Sequence, residues 1–124
     1  AGTHGSTFGG NPLAMAVGNA VLDVLFEKDF LKRVKQKGKY FCDGLNKIKE
    51  KYPKIIEEIR GAGLMIGIKT SIDNAEFIKK LMNHKMLTVK AEENVIRLFP
   101  PLIVSNDELD EALNKIEIVC KEMS

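Results

Sequence analysis

Three short segments hold residues whose types and spacing could do chemistry. In Gly2-Thr3-His4-Gly5-Ser6-Thr7-Phe8-Gly9-Gly10-Asn11-Pro12, glycines and hydroxyls stand immediately before a helix start. Such a loop offers backbone N–H groups, hydroxyl donors and a positive helix end, a combination that favours a phosphate. It is not a Walker A loop. After the Gly5-to-Gly10 spacing that motif requires Lys and then Ser or Thr, and here Asn11-Pro12 follows. A flexible tail or a simple cap has the same composition, although the Asn11-Pro12 punctuation favours an ordered loop.

In Arg60-Gly61-Ala62-Gly63-Leu64-Met65-Ile66-Gly67 the third glycine comes one place too late for a dinucleotide fingerprint, and strand-like residues follow where a helix is required. A tight turn with a close sheet contact is the simpler reading. In Val95-Ile96-Arg97-Leu98-Phe99-Pro100-Pro101 one arginine sits in an apolar strand, and alternation places Val95, Arg97 and Phe99 on one face. The guanidinium therefore leaves from a largely apolar strip. It must reach a carboxylate, a carbonyl or water. A structural salt bridge, a solvent-facing position and a ligand clamp all satisfy that need. His4 and His84 have no partner at a useful spacing and read as structural. Cys42 and Cys120 fit no metal-ligand pattern and read as free thiols of a reducing compartment, so no metal is expected.

The elements that must position these segments follow from periodicity and punctuation. Asn11 as N-cap and Pro12 as first helical residue open a helix through Phe26 that is apolar on nearly every side, and such a helix needs protein all round it. A second, amphipathic helix spans Asp29–Tyr52 and stops before Pro53. Ile55–Ile59 and Leu64–Lys69 read as strands of an antiparallel hairpin or bulge. Asp73-x-x-Glu76 has capping-box spacing and opens a third helix. Leu87–Lys90 and Val95–Phe99 are further strands, and Ser105-x-x-Glu108 caps a final helix. The order predicts an α+β fold, a mostly antiparallel sheet of about four strands with helices packed on one face.

With 124 residues, 44% hydrophobic and 29% charged, the chain suits one compact core and neither a disordered nor a fibrous segment. The net charge of +2 hides an asymmetry. Residues 27–54 carry ten Lys or Arg against four Asp or Glu, residues 105–124 carry two against six, and Asp23 is the only charge before residue 27. A basic block spread along a helix reads as a solvated face. The other reading, a stand-alone α+β binding module whose basic helix contacts nucleic acid, predicts affinity falling steeply with salt, and the lack of aromatics between the lysines argues against it. No stretch approaches the roughly 20 apolar residues of a membrane span, so no membrane partner is expected. The chain begins with Ala1 and shows no signal-peptide pattern, which suggests a cytoplasmic protein with a missing upstream part.

Together the segments His4–Ala14, Arg60–Gly67 and Ile96–Leu102 resemble the C-terminal part of class III pyridoxal-phosphate-dependent aminotransferases, in the family's order and approximate spacing. The resemblance implies the small C-terminal domain of a fold-type I enzyme, formed by residues 27–124. Residues 1–26 would supply a cofactor-phosphate loop and a helix that packs on a large domain. It implies pyridoxal 5'-phosphate as cofactor and a homodimer, in which Thr7, and Ser6 beside it, hydrogen-bond the phosphate held mainly by the other subunit. It implies that Arg97 pairs with the α-carboxylate of the amino or keto acid, for which a planar fork is better suited than Lys. The implied reaction transfers an amino group between N-acetylornithine and 2-oxoglutarate; ornithine and other ω-amino donors are the alternatives. The lysine that anchors the cofactor and the aspartate that faces its ring nitrogen would lie upstream, so no catalytic residue is assigned here and these residues alone should be inactive.

Overall fold

In the computed structural model, residue 2 and residues 4–124 are described, so Thr3 of the first segment lies outside the described residues. They fall into two compact units, Ala1–Arg33 and Val34–Ser124.

The first unit carries α1, Pro12–Leu25. Asn11 caps it: its side-chain oxygen accepts from the Ala14 amide at 2.9 Å, and its side-chain nitrogen donates to the Phe8 carbonyl at 2.6 Å. Pro12 takes the first helical position, where its missing N–H costs nothing. No residue of α1 is buried. Leu13 and the following Phe26 are 75% and 80% exposed, so the cover that an all-apolar helix requires is not supplied by the described residues.

In the second unit a single antiparallel sheet is formed by β1 (Ile56–Ala62), β2 (Met65–Thr70), β3 (Val89–Ala91) and β4 (Val95–Leu98), in the order β1-β2-β4-β3. The β1–β2 hairpin is tighter than the sequence reading. β1 runs on through Gly61 and Ala62, Ala62 pairs with Met65, and Gly63 supplies the left-handed residue of the turn at φ +56°. α2 (Phe30–Lys51), α3 (Asn74–Asn83) and α4 (Asn106–Glu122) complete the fold. Phe41, Leu45 and Ile48 of α2, Phe77 and Leu81 of α3, and Leu109, Ile116 and Val119 of α4 close over Ile66, Ile68, Ile96 and Leu98 of the sheet. Because side chains alternate along a strand, Gly67 and Arg97 are left on the opposite face. The α+β architecture with helices on one face is the predicted one, and all its strand pairings are antiparallel.

Helix starts follow the predicted caps with one difference. Ser105 and Glu108 form a complete capping box on α4. Asp73 caps α3 through the Ala75 amide, two residues on, and neither bond of the Asp73/Glu76 box is made among the described residues. Close approaches explain two helical glycines. A Cβ on Gly38 would lie 2.3 Å from the Gly63 carbonyl oxygen, and one on Gly44 would lie 2.4 Å from Leu113 Cδ1. Both cysteines are free, and burial pushes the Cys120 thiol up to about 12.

A polar knot closes the open end of the sheet. Asn94 sits in the left-handed region at φ +61°, and its amide nitrogen donates to the Thr70 and Ile72 carbonyls. Its side-chain oxygen accepts from the Asn74 amide, and the buried Asn74 side chain donates to the Ala91 and Val95 carbonyls. Buried polar groups that are satisfied in this way fix geometry as well as energy. The β3–β4 turn is thereby tied to the end of β2 and the start of α3.

Candidate functional site

On the helix-free face of the sheet, Arg60, Gly67, Arg97 and Val89 form one cross-strand row: Arg60 pairs with Gly67, Gly67 with Arg97, and Arg97 with Val89. Gly67 matters for what it leaves open. A Cβ there would meet Val95 Cγ1 at 3.0 Å and Arg60 Cγ at 3.6 Å, so the glycine keeps the floor between the two arginines clear. Arg60, Gly67 and Arg97 of this row line an open groove of about 1130 Å³.

The two guanidiniums differ in what they face. Arg60 donates to Glu93 at 3.2 Å and has Glu58 at 4.0 Å. Arg97 is exposed and, among the described residues, takes part in no ion pair. A structural salt bridge is thus not how Arg97 is satisfied in this chain; it faces solvent. Its surroundings are largely apolar, with Ala62, Met65, Ala91 and Val95 lining the same groove. Phe99 lies past the end of β4, and within that strip the guanidinium rises beside a bare glycine. Further along the same face, Lys69 is held by Glu57 at 2.8 Å, which raises the lysine and lowers the carboxylate. A free, planar, five-donor cation on an open face is suited to a carboxylate from outside.

Ser6 and Thr7 belong to the first unit, in the exposed loop before α1. The loop folds back at Gly9, where a Cβ would meet Ser6 Cβ at 3.0 Å and Ser6 Oγ at 3.1 Å, and it continues through Gly10 at φ +74°. Among the described residues neither hydroxyl has a hydrogen-bond partner, while Asn11 already serves the first turn of α1. Two exposed hydroxyls before a helix start, unpartnered among the described residues, are a donor set that a phosphate monoester takes. The residues present fit the phosphate of pyridoxal phosphate.

Arg60, Gly67 and Glu93 were not legible as site residues. The two-residue hairpin turn implies the Arg60–Gly67 pairing, but only the tertiary order of strands adds Arg97, and only the pinned β3–β4 turn brings Glu93 over Arg60.

The sequence matches the family Aminotransferase class-III over residues 1–120, and the chain belongs to that family. It is 49% identical to the acetylornithine aminotransferase of Mesorhizobium japonicum over 124 residues, the whole of this chain and 31% of that protein. It is also 49% identical to the acetylornithine aminotransferase of Bacillus cereus over 121 residues, 97% of this chain and 31% of that one. Among solved structures, acetylornithine aminotransferase from Elizabethkingia anophelis superposes with a TM-score of 0.86 at 34% identity, covering 98% of this chain and 31% of the other. Ornithine aminotransferase from Toxoplasma gondii ME49 does so with 0.85 at 36%, covering 98% and 30%. The chain therefore spans about a third of the length of the relatives it matches. No helix among the described residues is long and apolar enough to cross a membrane.

Proposed function

We propose that these residues form the C-terminal part of a pyridoxal-phosphate-dependent aminotransferase that moves an amino group from N-acetylornithine to 2-oxoglutarate. Ornithine is the alternative donor, since both kinds of enzyme stand among the structural relatives at similar TM-scores. The observation that carries the reading is the unpaired guanidinium of Arg97 beside side-chain-free Gly67. The keto-acid acceptor carries its α-carboxylate on the reacting carbon, and a bidentate fork on an open face seats that group in a fixed orientation.

In this reading residues 27–124 are the small domain, and residues 1–26 bring the phosphate loop and a helix whose exposed apolar surface is covered by the large domain. Ser6 and Thr7 donate to the phosphate of a cofactor held mainly by the partner subunit of a homodimer. When bound, the cofactor would supply an electron-accepting ring and an aldehyde carbon to carry the amino group between the two halves of the reaction. The residues described here bind and orient: the hydroxyls hold the phosphate end, and Arg97 holds the carboxylate end of the substrate. The anchoring lysine is placed outside these residues, so they do not transaminate alone. A cytoplasmic location goes with the biosynthetic role.

The test is the rate of glutamate formation by the longer enzyme that carries these residues, with N-acetylornithine and ornithine as competing donors and 2-oxoglutarate as acceptor. A preference for N-acetylornithine is expected. A preference for ornithine moves the assignment to the alternative, and no transfer from either overturns it.

A further inference from the structure

The open face carries two arginines in one row and leaves only one of them free. Arg60 and Arg97 are both register partners of Gly67, so their backbones stand two strand spacings apart, about 9.5 Å. Arg60 is paired with Glu93 at 3.2 Å, closer than Glu58 at 4.0 Å. Glu93 is not a casual partner. It holds a left-handed backbone at φ +57°, an uncommon conformation for a residue that is neither Gly nor Asn. The following Asn94 pins the turn through the Thr70 and Ile72 carbonyls and the Asn74 amide. The Val95 amide closes the turn on the Glu92 carbonyl. The fold thus fixes the backbone from which the exposed Glu93 side chain reaches the second guanidinium, and Glu93 and Arg60 line the same groove as Arg97.

We propose that Glu93 is a specificity-determining residue: by occupying Arg60 it limits this face to one carboxylate, seated on Arg97, and prevents a dicarboxylate from bridging the two arginines across Gly67. The proposal rests on the reading of Arg97 as the carboxylate seat.

The experiment is equilibrium titration of the longer enzyme with glutarate and with butyrate, which have two carboxylates and one and carry no amino or keto group. Glu93→Gln should tighten glutarate by about fivefold, the scale of one partly exposed charge pair, and change butyrate less than about twofold. Glu93→Asn, whose side chain tolerates the left-handed backbone, should do the same and serves if the glutamine variant folds poorly. Adding Arg60→Gln should cancel the gain, and Arg60→Gln alone should leave glutarate binding unchanged. Equal changes for both probes, no change, or a gain that survives loss of Arg60 would overturn the proposal. Arg97→Lys should weaken both probes. If it weakens neither, the reading of Arg97 itself fails; if it weakens both while Glu93 has no selective effect, only the role of Glu93 fails.

Discussion

Arg60 and Arg97 flank the same residue, Gly67, one across β1–β2 and the other across β2–β4, and only Arg60 has a carboxylate partner. Two identical side chains in one row are thereby given different tasks. Arg60 ties a hairpin to the β3–β4 turn, whereas Arg97 keeps its five donors for a group outside the described residues.

Gly38→Ala should destabilise the second unit although alanine is the better helix former by about 1 kcal/mol. The new Cβ would stand 2.3 Å from the Gly63 carbonyl oxygen, which is backbone and cannot rotate away. Relieving that clash should cost about 1–3 kcal/mol, more than the propensity gained. A lower midpoint in urea unfolding is expected; a raised midpoint would show that α2 can move off the hairpin turn freely.

Glu122 sets an acid limit on the contact between α3 and α4. Its carboxylate accepts from His84 at 2.8 Å and from Lys80 at 3.2 Å, and these bonds, His84 first, hold it below its ordinary value of 4.5. A carboxylate lowered by folding stabilises fully above its unfolded pKa and loses that contribution as pH falls through the folded value. Unfolding midpoints measured from about pH 6 down to about pH 3 should therefore fall less steeply for Glu122→Gln than for the parent chain. Parallel curves would remove Glu122 from the acid response.

Thr7→Val keeps the shape of the phosphate loop and removes one hydroxyl. In the longer enzyme cofactor affinity should fall about tenfold, for a loss of roughly 1.5 kcal/mol. By linkage, the dimer should dissociate more readily without cofactor than with it. Unaltered affinity, read by dialysis against graded cofactor, would assign the phosphate to Ser6 and the loop amides.

Local signals made the elements legible. Asn11-Pro12, Asp73 and Ser105-x-x-Glu108 mark three helix starts, and Gly61-Ala62-Gly63 marks the hairpin. Arg97 and the Ser6-Thr7 loop stood out through motif resemblance, not spacing. What stayed hidden depends on distant pairs. The order β1-β2-β4-β3 places β4 inside the sheet, and no local pattern states that. The knot of Asn94 with Thr70 joins residues that lie far apart in sequence, and the Glu93–Arg60 pair exists only because that knot fixes the turn. Alternation gave the face of Arg97, but its cross-strand neighbour, Gly67, came from tertiary register.

The most direct test of the account is Arg97→Lys in the longer enzyme, with Michaelis constants measured separately for the amino donor and for 2-oxoglutarate. A point charge replaces a bidentate fork at the seat of the acceptor's α-carboxylate, which is bonded to the reacting carbon, so the constant for 2-oxoglutarate should rise more than that for the ω-amino donor, for a loss of about 1.5–3 kcal/mol or roughly tenfold to more than a hundredfold. Unchanged constants for both substrates would contradict it and return Arg97 to a solvent-facing residue of β4.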